Sequence, residues 1–199
     1  MKDSRLITLR GADIVPYITS MAKLELEVFS DFPYLYEADL LTQMNFIKRY
    51  ADCSKSIVVL VMDGDNVVGL STGMPFFFDS ELFKKPFIDH GIDVKNVFCL
   101  GESVLLPAYR GKKIYRQFFE MREMAARVNG CSICTFVAVE RSLNDPRRPV
   151  DYVPLDAVWH HFGYQKQPTL FLEFEWQDVG NLEPSKKKLV YWLKYLKSY

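Results

Sequence analysis

The sequence predicts an α/β (α+β) fold with one mixed central sheet of six to seven strands flanked by helices. Two observations predict it. Strand-like and helix-like apolar periodicities alternate in the order β-α-α-β-β-β-α-β-α-β-β. The chain has 199 residues, of which 49% are apolar, a size and composition typical of one domain spanning residues 1–199.

The first half of the chain contains two helices and a hairpin. The predicted elements are a strand at 6–10, a helix at 14–29, a loop at 31–36, a helix at 37–50 and strands at 57–62 and 67–74. Asp13 is placed to cap the first helix. The segment Asp63-Gly64-Asp65-Asn66 between two β-prone runs is the clearest hairpin signal in the chain.

The second half begins with an irregular segment rich in Phe and Lys at 75–95. It continues with a strand at 97–106, a helix at 111–128, a strand at 131–139, a loop at 140–154, a short helix at 155–162 and strands at 169–176 and 187–196. Gly163 would cap the short helix. The run at 187–196 fits a strand or an amphipathic helix; a strand is favoured because it would pair back across the preceding loop.

Composition argues against several classes of protein. The 25 basic residues balance the 25 acidic ones, so neither nucleic acid nor a membrane surface is an expected partner. No apolar run approaches the roughly 20 residues needed to span a bilayer. Cys131 and Cys134 lie in a β-prone run and would point to opposite faces, which favours reduced thiols over a metal site. We therefore expect a cytoplasmic protein without a metal.

Residues 102–119 are the most informative segment, because they indicate a buried strand, a polar turn and the start of a helix. Arg110, Lys112 and Lys113 would lie at the helix N-terminus, where cations oppose the helix dipole unless an anion is present. Backbone N–H groups at such a corner bind phosphate. A phosphorylated ligand is therefore expected on residues 109–116; the alternative is a solvated helix start.

Two segments resemble the GNAT-type N-acyltransferases. Residues 104–114 resemble the strand of that family followed by its R-G-x-G-x-G/A pyrophosphate turn, and residues 155–164 resemble its short helix ending in an aromatic-Gly-aromatic step. The resemblance implies a GNAT-like domain that uses acetyl-CoA as co-substrate. It also implies a sheet that splays between its fourth and fifth strands, here 97–106 and 131–139.

The resemblance also implies the cofactor contacts. These are Val104, Leu105, Leu106, Tyr109, Arg110, Gly111, Lys112, Lys113, Ile114 and Tyr115. Lys113 and Tyr115 depart from the family pattern, which has glycine or another small residue there. Trp159 occupies the position of the family's frequent general-acid tyrosine, and an indole cannot give a thiolate its proton in that role.

Glu102 is the candidate general base. It lies in an otherwise apolar strand with Leu100 and Val104 on its own face, where desolvation is expected to raise its pKa. The alternative is an ion pair at a frayed strand end. By resemblance, Tyr34 and Tyr36 would line the acceptor pocket; the alternative is an aromatic plug over the core. Arginines 141, 147 and 148 fit a solvated loop better than an anion site.

The leading interpretation is transfer of an acetyl group from acetyl-CoA to a primary amine of a small molecule or a protein. The alternative is a non-catalytic acyl-CoA-binding or regulatory module with a degenerate site. A generic nucleotide-binding domain is disfavoured, because neither G-x-x-x-x-G-K-[ST] nor G-x-G-x-x-G occurs. The acceptor and the oligomeric state stay open, although an exposed last strand would allow homodimer pairing.

Overall fold

The computed structural model describes residues 4–197 and contains one eight-stranded sheet of order β1-β3-β4-β5-β6-β8-β7-β2. The strands are β1 Arg5–Leu9, β2 Tyr36–Glu37, β3 Ile57–Asp63, β4 Asn66–Pro75, β5 Val97–Leu105, β6 Ile133–Val139, β7 Gln165–Asp178 and β8 Ser185–Tyr195. The α/β prediction is confirmed. The predicted strand number was too low, because the two-residue β2 carries no periodicity of its own.

Five α-helices flank the sheet: α1 Ile18–Phe29, α2 Leu40–Ala51, α3 Glu81–Asp89, α4 Ile114–Val128 and α5 Asp156–His161. The first begins later than predicted, because residues 11–17 form a 3₁₀ helix containing Pro16, which has no N–H to donate. Asp13 does not cap it. Asp39 caps α2 instead, accepting a 2.9 Å bond from the Thr42 amide.

Two predictions of irregular structure were wrong. Tyr36, from the predicted loop, and Glu37, the predicted start of the next helix, form a strand that pairs with the end of β7. The segment after residue 75 contains α3, although Pro86 lies inside that helix. Packing outweighs the low helix propensity of proline here, because Phe87 is fully buried and meets the Phe76 ring edge-on at 4.9 Å.

A bulge interrupts the pairing of β4 with β5. Ser71 lies opposite Ser103 and Gly73 opposite Leu100, so two residues of β5 face one residue of β4. The extra residue shifts the alternation of side chains. Leu100 packs in the core beneath α4, whereas Val104 packs in the core beneath α1 and α2. The expectation that Glu102 shares one face with both residues was therefore wrong.

The sheet opens between β5 and β6. Their parallel pairing covers only Val97–Cys99 against Ile133–Thr135, and the rest of the two strands diverges. This confirms the predicted V. Strand β6 pairs along its whole length with β8, which in turn pairs with β7. The last strand is thus internal, and the expected pairing of an exposed last strand between subunits was wrong.

The cysteines lie in apolar surroundings. All four are free, and burial raises the pKa of the Cys134 thiol to about 12. Cys131 precedes β6 rather than lying in it, so it packs in the same core as Cys134, contrary to the predicted opposite faces. Within residues 4–197, no cluster of His, Cys, Asp or Glu could hold a metal ion, and no helix could cross a membrane.

Candidate active site

A cavity of about 1020 Å³ occupies the V between β5 and β6. Its walls come from both halves of the sheet, from α4 and α5, and from the loop that follows α1. Because β6 pairs with β5 only as far as Thr135, the backbone of residues 100–105 faces this space without a strand partner on that side. A strand edge of this kind offers backbone hydrogen bonds to an extended ligand.

The N-terminus of α4 forms one end of the cavity. The turn before it contains two residues with positive φ, Gly111 at +76° and Lys113 at +62°. No acidic residue lies in the first turn, and no side chain caps the helix. Its first N–H groups, the helix dipole and the nearby cation of Arg110 therefore favour an anion at this end.

The predicted cofactor contacts divide into two groups. Those lining the cavity are Leu105, Arg110, Gly111, Lys113, Ile114 and Tyr115. The other four, Val104, Leu106, Tyr109 and Lys112, do not line it. Val104 packs beneath α1 and α2, the Tyr109 hydroxyl donates to the carboxylate of Asp63, and the Lys112 ammonium lies 5.0 Å over the Tyr109 ring.

Glu102 faces the cavity and is held by three donors. Its carboxylate accepts hydrogen bonds from the hydroxyls of Thr72 at 2.5 Å and Tyr50 at 2.8 Å, and from Arg49 at 3.4 Å. Its side chain is 11% exposed. Gly101 permits this arrangement, because a Cβ there would collide with the hydroxyls of Tyr50 and Thr72. Glu102 does form an ion pair, but its partner is the half-buried Arg49 inside the site and not a surface residue at a frayed strand end.

Arg49 links the carboxylates of Glu102 and Asp79 on the side of the cavity nearest α2. Its guanidinium donates to Asp79 at 2.7 Å and lies 4.0 Å from the centre of the Phe46 ring. Burial alone would lower the pKa of Arg49, but Tyr50, Glu102 and Asp79 together raise it. Arg49 therefore stays charged between Glu102 and Asp79.

A second carboxylate lies behind this group. Glu25 of α1 is fully buried and accepts a hydrogen bond from the Gln43 amide, while its other oxygen has no partner within residues 4–197. Burial, followed by the negative charge of Glu102, raises the pKa of Glu25 well above its usual value. The neutral acid form of Glu25 is therefore favoured.

Arg122 is a buried cation that the sequence analysis missed. It is 1% exposed and lines the cavity; its Nε donates to the Phe118 carbonyl at 3.0 Å, and its Nη1 donates to the Thr72 and Glu102 carbonyls at 3.3 and 3.4 Å. No carboxylate pairs with it among the described residues. Burial lowers its pKa. The signal for it was available, because Arg122 interrupts the apolar stripe of α4.

Tyr34 and Tyr36 both line the cavity on the side opposite α4. The Tyr34 carbonyl accepts from Arg141 at 2.6 Å and from the Trp176 indole at 3.1 Å. Arg141 also pairs with both oxygens of Asp178, at 2.7 and 2.8 Å. Arg141 thus braces the loop that carries the two tyrosines, and it is not the solvated residue expected from the sequence.

The chain resembles known proteins in its structure but not detectably in its sequence. No protein-family model matches the sequence, and no curated protein matches it. Solved structures do match. A ribosomal-protein-alanine N-acetyltransferase from Brucella melitensis is 13% identical, with a TM-score of 0.60 over 96% of this chain and 99% of that chain. A GNAT-family protein from Chromobacterium violaceum is 12% identical, with a TM-score of 0.57 over 96% and 87%.

A third structure, yncA from Salmonella typhimurium, was solved with its cofactor acetyl-CoA. It is 12% identical, with a TM-score of 0.56 over 98% of this chain and 95% of that chain. The chain has the GNAT fold. Identities this low establish the architecture, whereas the activity has to be argued from the site.

The chain departs from the GNAT pattern at 113, 115 and 159, and the structure accounts for the first position. Lys113 adopts the left-handed conformation, φ +62°, that glycine adopts most easily. A non-glycine residue in this region costs about 1–3 kcal/mol. The backbone of the turn therefore keeps the shape of a glycine turn, with an added positive charge.

The other two departures contact each other. The Trp159 indole Nε1 donates to the Tyr115 hydroxyl at 3.1 Å, although the residues are 44 positions apart. The Tyr115 ring also meets the Phe119 ring edge-on, with centres 5.2 Å apart. Burial raises the pKa of Tyr115, while the bond from Trp159 and the charge of Arg122 act in the opposite direction. Helix α5 and the start of α4 are thus joined across the cavity.

Proposed function

We propose that this protein transfers an acetyl group from acetyl-CoA to a primary amine of a small molecule or a protein. One observation carries the proposal: a V in the sheet that leads from an uncapped helix N-terminus to an anchored carboxylate. The proposed cytoplasmic location and the assignment of residues 1–199 to one acyltransferase domain accompany it as predictions.

The proposal gives each part of acetyl-CoA a place in the cavity. Its pyrophosphate lies on the N–H groups after Arg110, where the α4 dipole and two cations favour negative charge. Its pantetheine arm follows the open edge of residues 100–105 and forms backbone hydrogen bonds there. The thioester then lies beside the bulge, which presents Glu102 from one side and Arg122 from the other.

The reaction needs a neutral amine next to the thioester carbon. Glu102, paired with Arg49, takes a proton from the acceptor ammonium, directly or through a water. The amine nitrogen then attacks the carbonyl carbon and the carbon–sulfur bond breaks. The CoA thiolate leaves with the bonding electrons, and the nitrogen loses its second proton to solvent as the amide forms. Holding the two reactants in one cleft supplies much of the acceleration.

The acceptor side of the cavity favours an amine carried on an apolar or aromatic group. Tyr34 and Tyr36 lie there with several further aromatic rings: Phe29, Phe32, Phe46, Phe83, Phe174 and Trp176. The charges of Arg49 and Arg141 are already committed to Asp79, Glu102 and Asp178. An acceptor with its own carboxylate would find neither of these cations free.

A second candidate function is binding of acyl-CoA without turnover. The observation that favours it is the Tyr115–Trp159 bridge, which places two large side chains where the GNAT pattern has a small residue and a tyrosine. Under this alternative the protein is a sensor or regulatory module, and Glu102 serves only to anchor Tyr50 and Arg49.

Two measurements test the proposal. Release of the CoA thiol is followed with a thiol reagent across a panel of aromatic, aliphatic and peptide amines; turnover with any of them above the rate of acetyl-CoA hydrolysis supports catalysis. Saturable CoA binding in calorimetry with no turnover on the whole panel favours the binding module. Absence of CoA binding contradicts both functions.

The binding site is tested with one variant and one matched control. Arg110→Ala removes a cation that lines the cavity, so CoA binding should weaken by about 1–3 kcal/mol. Lys112→Ala removes a cation two residues away that packs over the Tyr109 ring, and its effect should be smaller. Equal affinities for both variants and the wild type would exclude the α4 N-terminus as the phosphate site.

A further inference from the structure

We propose that Tyr115 is a catalytic residue that hydrogen-bonds the sulfur of CoA and gives its phenol proton to the leaving thiolate, and that Trp159 positions it. The inference rests on the proposed acetyl transfer. It concerns a step that needs a proton donor, whereas Glu102 acts as the proton acceptor in that reaction and pairs with Arg49.

The placement of Tyr115 is the first argument. Tyr115, Phe119 and Arg122 are spaced four and three residues apart, so they lie on one face of α4, and all three line the cavity. This face runs from the first turn to Arg122, about 10 Å further along, where Arg122 reaches the Glu102 carbonyl. The Tyr115 side chain extends from the first turn towards α5, and its hydroxyl meets the Trp159 indole there. An arm that passes from the turn to the thioester therefore runs by this hydroxyl.

The state of the phenol is the second argument. The Tyr115 oxygen accepts the indole N–H of Trp159 at 3.1 Å, and its own proton has no acceptor among residues 4–197. With one lone pair occupied by the indole, the O–H is left to point into the cavity. A free O–H donor at this position would stabilise an anion that forms in the cavity beside it.

The fate of the phenolate is the third argument. After the proton leaves, Tyr115 carries a negative charge that the Trp159 N–H and the Arg122 guanidinium both stabilise, and each of them acts to lower the pKa of Tyr115. Arg122 has no carboxylate partner within the described part of the chain, so its charge is available for this purpose.

Three other phenols near the site are already committed. Tyr50 donates to Glu102, and Tyr191 donates to the Phe83 carbonyl at 2.6 Å. Tyr164 donates to Glu123 at 3.0 Å. Tyr195, exposed at the end of β8 and outside the lining of the cavity, is the matched control, since it offers the same chemical change away from the site.

The proton balance needs three transfers. Glu102 gains the first proton from the acceptor ammonium. Tyr115 gives one proton to the CoA sulfur as the carbon–sulfur bond breaks. The second proton, which the nitrogen loses as it becomes an amide, returns to the Tyr115 phenolate through solvent, so the products are the amide and the CoA thiol. Solvent exchange at the open cavity then deprotonates Glu102.

The first test is direct titration of the thiol of bound CoA, followed by the ultraviolet absorbance of the thiolate. A hydrogen bond from Tyr115 stabilises the thiolate, so Tyr115→Phe should raise the pKa of the bound thiol by about one to two units. Tyr195→Phe should leave this pKa unchanged. An equal thiol pKa in Tyr115→Phe and the wild type overturns the proposal.

The second test is the rate of CoA release as a function of pH. Loss of a general acid should lower kcat about 10²-fold or more in Tyr115→Phe with little change in acetyl-CoA affinity. Trp159→Phe, which keeps the phenol but removes its positioning bond, should lower kcat less and shift the alkaline limb of the profile. An unshifted limb in Trp159→Phe would show a packing role only.

The failure of this inference is distinguishable from failure of the proposed function. If the wild type releases no CoA with any amine, the acyltransferase proposal fails, while the thiol titration still decides whether Tyr115 contacts the sulfur. If the wild type turns over and Tyr115→Phe matches it, the acyltransferase proposal stands and Tyr115 is a structural residue. The double variant Tyr115→Phe/Trp159→Phe, which leaves no unpaired indole N–H, controls for a folding defect.

Discussion

The Nη1 atom of Arg122 lies 3.4 Å from the carbonyl oxygen of Glu102. This contact joins helix α4 to the bulge of β5, across the space proposed for the thioester. It places a buried positive charge on the opposite side of the strand from the Glu102 carboxylate, which points towards α2. Charge that develops on the thioester during transfer would therefore form between a cation and a base.

Arg122→Met tests whether this cation serves the reaction or the fold. Replacing a buried, unpaired charge by an apolar side chain of similar length should leave the unfolding free energy unchanged or raise it by about 1–4 kcal/mol. The rate of CoA release should fall about 10²-fold, the effect of losing one preorganised donor. Urea unfolding and the thiol assay measure the two quantities. If Arg122→Met loses stability but keeps full activity, Arg122 serves the fold and not the reaction. Arg122→Lys, which keeps the positive charge, should retain part of the rate.

Glu102→Gln should lower the rate about 10²–10⁴-fold, because the amide cannot accept the proton of the ammonium. Acetyl-CoA affinity should barely change, since the side chain points away from the phosphate-binding turn. Glu175→Gln, on the exposed part of β7, is the matched control. The rate is measured across pH with folding checked by thermal melting. Wild-type turnover in a folded variant would make Glu102 an anchor for Tyr50 and Arg49 and nothing more.

Lys113→Gly tests the backbone strain at the start of α4. Glycine relieves the cost of φ +62°, whereas glycine at the neighbouring Lys112, which does not have positive φ, only adds freedom to the unfolded chain. Lys113→Gly should therefore be more stable than Lys112→Gly by about 1–2 kcal/mol. Chemical denaturation gives the difference. Equal stabilities would mean that the turn adopts another conformation in solution.

Glu25→Gln should change how stability depends on pH. The pKa of Glu25 is raised in the folded state, so above its unfolded pKa the folded protein keeps a proton that the unfolded chain has lost, and stability falls as pH rises. Glutamine does not titrate and still accepts the Gln43 bond. The variant should melt like the wild type near about pH 4 and at a higher temperature above neutrality. Glu27→Gln, exposed on the same helix, should follow the wild type throughout.

Sequence patterns correctly predicted those helices and strands that are determined by neighbouring residues in the chain. The β3–β4 hairpin follows from two β-branched runs around Asp63-Gly64-Asp65-Asn66, and the observed register places Asp63 opposite Asn66. The strand, turn and helix from 97 to 128 follow from the change of apolar period at Gly111. Strand β8 was also predicted, although its internal place in the sheet was not.

Features that depend on contacts distant in sequence were not predicted. The bulge opposite Thr72 needs the register of β4 against β5, and without it Glu102 could not be assigned to the correct face. Arg122 looks like a surface cation until the V is known to lie beside it. Tyr115 and Trp159 were each identified as departures, but their hydrogen bond depends on how α5 packs against α4.

The sheet consists of two four-stranded plates joined by a seam of three residue pairs, from Val97 to Cys99 on β5 and from Ile133 to Thr135 on β6. A short seam resists rotation far less than a full-length ladder, so the angle between the plates can change without breaking hydrogen bonds inside either one. The seam lies at the closed end of the cleft, where side chains of both plates share a hydrophobic core. A ligand in the cleft would contact both plates beyond the last hydrogen bond that joins their strands, so it would bridge them along most of β5 and β6.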